Sequence, residues 1–261
     1  MRCSDGAPYV VKFPNNPQGP RILANELLAG RLAERLNLPV AAGRVVSIDP
    51  VSIGWSGELV MELSHGTTPC QAGLCFGSRY VVMDPCWPQY DLIPDESLKD
   101  VENIEDFCGI LVFDLWTCNA DKRQVVFFRN DRLQHRVAMI DQGHCFNGNS
   151  WSFPDSPLRS LYWQKSVYQT VKGVDAFDPW LNRLESEIDE NVIYECADGI
   201  PSQWYESDTG SLDRLLDKLN HRRRRVRELL WSAETLASRP FPNWDRGICN
   251  RERKADGSAS P

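Results

Sequence analysis

Residues 115–146, LWTCNADKRQVVFFRNDRLQHRVAMIDQGHCF, decide how this chain is read. Two short apolar runs, 125–128 (VVFF) and 137–140 (VAMI), flank a polar turn at 129–132. That pattern predicts a β-hairpin with a loop of several residues. Asp121 stands just before the first run and Asp141 just after the second. A hairpin brings its outer ends together, so both carboxylates belong at one end of the sheet. Two acidic groups converging there suit a divalent cation and a hydroxyl nucleophile, the chemistry of phosphoryl transfer. Aspartate is also a common turn former at strand ends, and the hairpin by itself leaves that plainer reading open.

Working outward, residues 104–117 carry Phe107, Ile110, Leu111, Phe113 and Leu115 and predict a helix leading into the hairpin. Farther upstream, Leu23, Leu27, Leu28, Leu32 and Leu36, with Ala24 and Ala33, recur at spacings of three and four. This is the signature of an amphipathic helix over 22–38, stopped by Pro39. A strand over 9–13 (YVVKF) precedes it, closed by Pro14, and a polar loop over 15–20 lies between. Further strands are expected over 43–48, 58–63 and 79–83, and residues 84–99 read as a linker or ordered loop. Beyond the hairpin, 147–150 reads as a flexible loop. Helices are expected over 158–170, 178–188 and 212–236, and a disordered tail from 239. The order is therefore α+β in two lobes, with a cleft at the linker. A β-rich lobe takes residues 1–84, a mainly helical lobe 85–238 and a tail 239–261.

Composition limits the function classes. The net charge is −7, which argues against a general nucleic-acid binder and leaves only local basic patches to consider. One such run is Arg222 to Arg225 with Arg227, read first as a solvated helix face. The nine cysteines are odd in number and include no CxxC pair, so reduced, mostly buried thiols in a cytoplasmic protein are expected. No apolar run approaches the ~20 residues of a membrane helix, and no signal peptide is visible. Because the chain opens almost directly on a strand, either a trimmed product or a sheet short of its first strand is expected.

Lys12 lies in a strand between Val11 and Phe13, and an edge-strand lysine normally snorkels to solvent. Glu26 follows fourteen residues later, one turn into the helix. If the helix packs on the strand, Glu26 can meet Lys12 and fix its ammonium toward nucleotide phosphates. A glutamate near a helix start is also favourable there for electrostatic reasons alone. What adds weight is the order Lys12, Glu26, Asp121, Asp141.

That order carries a resemblance. Residues 9–40, YVVKFPNNPQGPRILANELLAGRLAERLNLPV, resemble the N-terminal part of the HipA-like kinases, a bacterial branch distantly similar to protein kinases. NADKRQVVFF resembles that family's N-x-D-x-H-x-x-N catalytic loop, and MIDQGHCF its metal-binding segment. The resemblance implies a two-lobed protein-kinase-like fold and ATP and Mg²⁺ as cofactors. It also implies a hydroxyl acceptor, more readily a protein serine or threonine than a lipid. By the same resemblance Lys12 contacts the α- and β-phosphates and Glu26 holds Lys12. Asp121 is the catalytic aspartate, Asn119 the asparagine preceding it, and Asp141 the Mg²⁺ ligand. The chain departs from the family at two positions. Arg123 stands where the family has His, and Val126 where it has a second metal-binding Asn. Gln124 offers an amide oxygen at a different offset and is the candidate substitute. Asp114 and Asn119 form an alternative D-x-x-x-x-N register, ranked lower because Asp114 falls within an apolar helix pattern. No phosphate-covering glycine loop is recognisable, with 15–19 the nearest candidate. Alternative functions are a nucleotide-binding pseudokinase and a nucleic-acid binder using the arginine run.

Overall fold

The computed structural model describes residues 1–245 other than 56, 65, 83–86, 131, 133, 157–158 and 235–238. The first half of the chain runs β1 (Tyr9–Lys12), α1 (Arg21–Arg35), β2 (Gly43–Ile48), α2 (Pro50–Trp55), β3 (Val60–Leu63), β4 (Gly66–Pro69) and β5 (Gly73–Arg79). Then come β6 (Gln89–Tyr90), α3 (Asp95–Leu98), α4 (Asp106–Thr117), β7 (Gln124–Arg129) and β8 (His135–Ile140). The helical remainder is α5 (Asp178–Glu187), α6 (Glu190–Ala197), α7 (Thr209–Arg222) and α8 (Val226–Glu234). Three antiparallel sheets form, in the orders β1-β5-β2, β3-β4 and β6-β7-β8.

Two helices organise the core. In α4 every residue from Phe107 to Thr117 is buried, as expected of a helix that is apolar on nearly all sides. Helix α1 is buried from Ile22 to Gly30 and packs on β2 and β5, on the segment Cys145–Ser150 and on α6. One apolar core runs through α1, α4, the β7–β8 hairpin and the later helices. A smaller cluster of Phe13, Ile48, Cys70 and Cys75 sits beside the first sheet. The result is the expected α+β, kinase-like arrangement: a small antiparallel sheet with one major helix, a hairpin, and a mainly helical C-terminal part.

Several elements depart from the pattern. The strand expected over 79–83 is instead β5, Gly73–Arg79, and Met83 lies outside the described residues. Gly77 disguised it, yet the site requires glycine: a Cβ there would lie 2.6 Å from Val46 Cγ2. The helix expected over 158–170 is reduced to a 3-10 turn at Lys165–Tyr168, with Leu158 outside the described residues. Its apolar residues Tyr162, Val167 and Tyr168 are buried all the same. The single helix expected over 212–236 breaks into α7, a 3-10 turn at Arg223–Arg225, and α8, with 235–236 outside the described residues. Residues 84–99 contain β6 and α3, and the expected lobe boundary after 84 falls outside the described residues. Phe241, assigned by composition to the tail, is buried and stacks on Trp244 with ring centroids 5.0 Å apart. Residues 246–261 lie outside the described residues.

Four of the five arginines in the run are engaged by the protein itself, and Arg224 is exposed. Arg222 is buried, donates to the Leu115 carbonyl and pairs with Asp155. Arg223 reaches the Ile188 carbonyl, and Arg225 and Arg227 pair with Asp155 and Asp178. These contacts tie α7 and α8 to α4 and α5 and give those four arginines a structural role. No helix among the described residues is long and apolar enough to cross a membrane. The cysteines among the described residues are free thiols, and Cys86 and Cys249, like His65, lie outside them.

Candidate active site

Strand β1 ends at Lys12 and α1 lies behind it, so the strand lysine points inward instead of snorkelling out. Lys12 Nζ is 2.5 Å from Glu26 Oε1 and 2.8 Å from Asp141 Oδ1. Glu26 is 1% exposed, and its other oxygen accepts the Gln142 backbone N–H at 2.9 Å. Burial works against the Lys12 ammonium, but the two carboxylates outweigh it and raise its pKa. Burial raises the pKa of Glu26 against the pull of Lys12. Burial also pushes Asp141 upward, but the Lys12 ammonium prevails and holds its carboxyl below the ordinary range. Three of the sequence-predicted residues, Lys12, Glu26 and Asp141, therefore form one cluster.

Asp141 follows β8 directly, in a left-handed conformation with φ of 56°. Aspartate is one of the few non-glycine residues that visit that region, and here its neighbours hold it there. Gly143, two residues on, has no room for a side chain: a Cβ would lie 2.6 Å from Ile22 Cγ2 and 3.2 Å from Glu26 Oε1. From α1, the buried Asn25 holds the next turn. Its amide nitrogen donates to the carbonyls of Gly143, Cys145 and Gly148, and its oxygen accepts the Trp151 indole N–H. The expected flexible loop is thus a fixed turn with Phe146, Asn147 and Trp151 at positive φ.

The other carboxylate, Asp121, is exposed and touches none of the three clustered side chains. Its oxygen accepts the Lys122 N–H at 2.7 Å, and its own N–H donates to Asn119 Oδ1 at 3.1 Å. It lies at the same end of the hairpin as Asp141, as the Ala120 N–H bond to the His144 carbonyl requires. Asp114, the alternative in the other register, is buried and gripped by Arg123 and Asn119, so it has no path to a substrate.

Strand pairing explains the departures at 124 and 126. Gln124 opposes Ile140, next to Asp141, and its Nε2 lies 3.4 Å from Asp141 Oδ2. Val126 opposes Ala138 and lines a cleft of about 440 Å³ together with Val10, Ala41, Tyr80, Trp87 and Ile140. Val10 precedes Lys12 by two residues and so lies on the same face of β1. Ile140 immediately precedes Asp141. The cleft, whose wall also carries Ser78, Arg79, Gln89 and Asp91, therefore neighbours the Lys12–Glu26–Asp141 cluster through Val10 and Ile140. Among the described residues no group of three or more His, Cys, Asp or Glu side chains is placed to hold a metal ion. The loop 15–19 is held at both ends by other segments: Asn15 bonds Pro69 and Gln71, and Gln18 accepts from Asn149. The sequence pattern assigns no role to Asn25, to Gly143 or to an Asp114–Arg123 pair, although Asn25 immediately precedes Glu26 within the stretch that carries the resemblance.

A β-rich part with one inward lysine, a helix glutamate against it and a hairpin ending in an aspartate define a kinase-like phosphotransferase. The chain belongs to the HipA-like kinase family, whose model matches residues 1–234. The fold is shared with hydra Fam20, solved with sugar, at a TM-score of 0.52 and 13% identity, covering 87% of this chain and 78% of that one. The Helicobacter pylori proinflammatory kinase CtkA is also similar, at a TM-score of 0.48 and 15% identity, covering 87% of this chain and 93% of that one. No curated protein sequence matches the chain.

Proposed function

We propose that this chain is a bacterial, cytoplasmic kinase that uses ATP and Mg²⁺ to phosphorylate a hydroxyl, on a serine or threonine of a protein acceptor. The observation that carries the reading is the ammonium of Lys12 held between Glu26 and Asp141, next to a cleft with an apolar wall of Val10, Ala41, Val126 and Ile140. A nucleobase fits between Val10, Ala41, Val126 and Ile140, which directs the phosphates toward Lys12. Lys12 binds the α- and β-phosphates, and Glu26 keeps it from turning to solvent. Mg²⁺ is compatible with the oxygen donors present. It keeps several waters and needs only one or two carboxylates plus phosphate oxygens, so no closed cage of protein ligands is required. Asp141 would hold it, with Gln124 once its amide is turned to present oxygen. The ion, when bound, neutralises charge on the phosphates. Asp121, exposed and with its backbone fixed by Asn119, receives the acceptor hydroxyl. The hydroxyl oxygen bonds to the γ-phosphorus, the bond to the β-phosphate oxygen breaks, ADP leaves, and the hydroxyl proton passes to Asp121.

Titration calorimetry of ATP with and without Mg²⁺, followed by turnover on the same samples, tests this. Lys12→Ala and Asp141→Ala lose binding, while Asp121→Ala binds ATP and fails to turn it over. A wild type that binds no ATP rejects the reading. A second reading, a regulatory pseudokinase, is favoured by one observation: Val126 offers no ligand and lies in the cleft wall. Intact Mg²⁺-dependent binding with equal, negligible turnover in wild type and Asp121→Ala selects it.

A further inference from the structure

The residue that replaces the family's His has its own part in the site. Arg123 and Asp114 are each 1% exposed. Arg123 Nε donates to Asp114 Oδ2 at 3.0 Å and Nη2 donates to Asp114 Oδ1. Asn119 donates to the same carboxylate at 3.1 Å. This two-point grip fixes the guanidinium plane and leaves Nη1 aimed at the end of β8. Nη1 lies 3.0 Å from the Ile140 carbonyl and 3.5 Å from the Asp141 carbonyl. Those two carbonyls bracket the φ and ψ angles of Asp141, the residue in the left-handed conformation. We propose that Arg123, clamped by Asp114, is a positioning residue that fixes the backbone turn at Asp141 and so aims its carboxylate. The proposal rests on the kinase reading for what Asp141 binds, but the positioning itself is a property of the ligand-free chain. A lysine replaces the charge beside Asp114 but not the planar fork that reaches Asp114 and the carbonyls together.

The test is amide hydrogen exchange on the ligand-free full chain, comparing wild type with Arg123→Lys and Asp114→Asn, alongside ATP titrations with and without Mg²⁺. The Gln142 N–H, bonded to Glu26, is the reporter. Its exchange accelerates by about tenfold or more, the weight of one charge-assisted hydrogen bond, while the β7–β8 ladder keeps its rates. The Mg²⁺-dependent part of ATP affinity falls by a similar factor, and Mg²⁺-free binding does not change. The proposal is overturned if Gln142 exchanges at the wild-type rate, or if exchange rises equally throughout the hairpin. If Arg123→Lys does not fold, the near-isosteric Asp114→Asn decides by the same criterion. A wild type without Mg²⁺-dependent ATP binding rejects the kinase reading and leaves the exchange comparison to decide on Arg123.

Discussion

Truncating Asn25 tests how the turn after Asp141 is held. Its side chain is fully buried, with no exposed area. The amide nitrogen lies 2.8, 3.1 and 3.1 Å from the carbonyls of Gly143, Cys145 and Gly148, and its oxygen lies 2.8 Å from the Trp151 indole nitrogen. Two amide hydrogens shared among three carbonyls, plus the accepted indole N–H, amount to about three hydrogen bonds. In Asn25→Ala these partners stay buried without replacement. At roughly 1–3 kcal/mol for each stranded group, with partial relief by relaxation, the loss is about 3–6 kcal/mol. That is a large share of a typical total of about 5–15 kcal/mol. Asn25→Asp separates hydrogen bonding from size. The carboxylate still accepts from Trp151 but faces three carbonyls with no hydrogen to give. Burial and those carbonyls raise its folded-state pKa. The sign follows: its stability is fully present below the ordinary aspartate value and is lost as pH rises through the raised one. Asn25→Asp is therefore strongly destabilised at neutral pH and recovers in mild acid, whereas Asn25→Ala does not recover. Urea unfolding followed by tryptophan fluorescence at both pH values reads this directly. A loss below about 1 kcal/mol for Asn25→Ala, or a neutral-pH Asn25→Asp as stable as wild type, would refute the reasoning.

Gly143→Ala places a Cβ 2.6 Å from Ile22 Cγ2 and 3.2 Å from Glu26 Oε1. Overpacking there costs about 1–3 kcal/mol in denaturant unfolding and weakens Mg²⁺-dependent ATP binding. Arg222→Met removes a buried donor to the Leu115 carbonyl and lowers stability by about 1–3 kcal/mol. It leaves nucleic-acid binding at background in a low-salt gel shift. The Lys12–Asp141 pair gives a pH window. The lowered Asp141 pKa contributes stability that is present above its ordinary 3.8 and lost as pH falls below it. The raised Lys12 pKa contributes stability that is present below its ordinary 10.5 and lost only as pH rises beyond it. The stability gap between wild type and Asp141→Asn is therefore widest between those limits and narrows at both ends.

What the sequence made legible follows from how local each cause is. The β7–β8 hairpin announces itself through two apolar runs and a polar turn, and α1 through leucines at helical spacing. Both patterns lie within a few residues of the structure they specify. Strand β5 hid because Gly77 looks like a loop residue until Val46 and Tyr9 are seen pressing on it. The turn at 145–151 hid because its left-handed residues are imposed by Asn25, more than a hundred residues upstream. No local propensity predicts Phe146 or Trp151 at positive φ. The Asp114–Arg123 pair hid because the two residues meet only after Cys118, at φ of 52°, ends α4 and reverses the chain.

The site shows the same division at finer scale. Lys12, Glu26 and Asp141 could be named by type and order because a strand, a helix and a strand end each fix one of them. Counting five residues beyond Asp121 led to Val126, since an offset assumes a loop of the family's length. In this chain β7 begins at Gln124, and pairing then dictates the rest. Gln124 opposes Ile140 beside Asp141, and Val126, one step along the same face, is carried to the cleft wall. Register across the sheet therefore decides which side chain meets Asp141. Moving the oxygen donor along the strand separates the possibilities. Gln124→Leu abolishes the Mg²⁺-dependent gain in ATP affinity if Gln124 completes the ion's ligands. Val126→Asn in that background does not restore it, because position 126 opposes Ala138 and faces the cleft, away from Asp141. Restoration by Asn at 126 would show that the family's offset, not the hairpin register, governs the site.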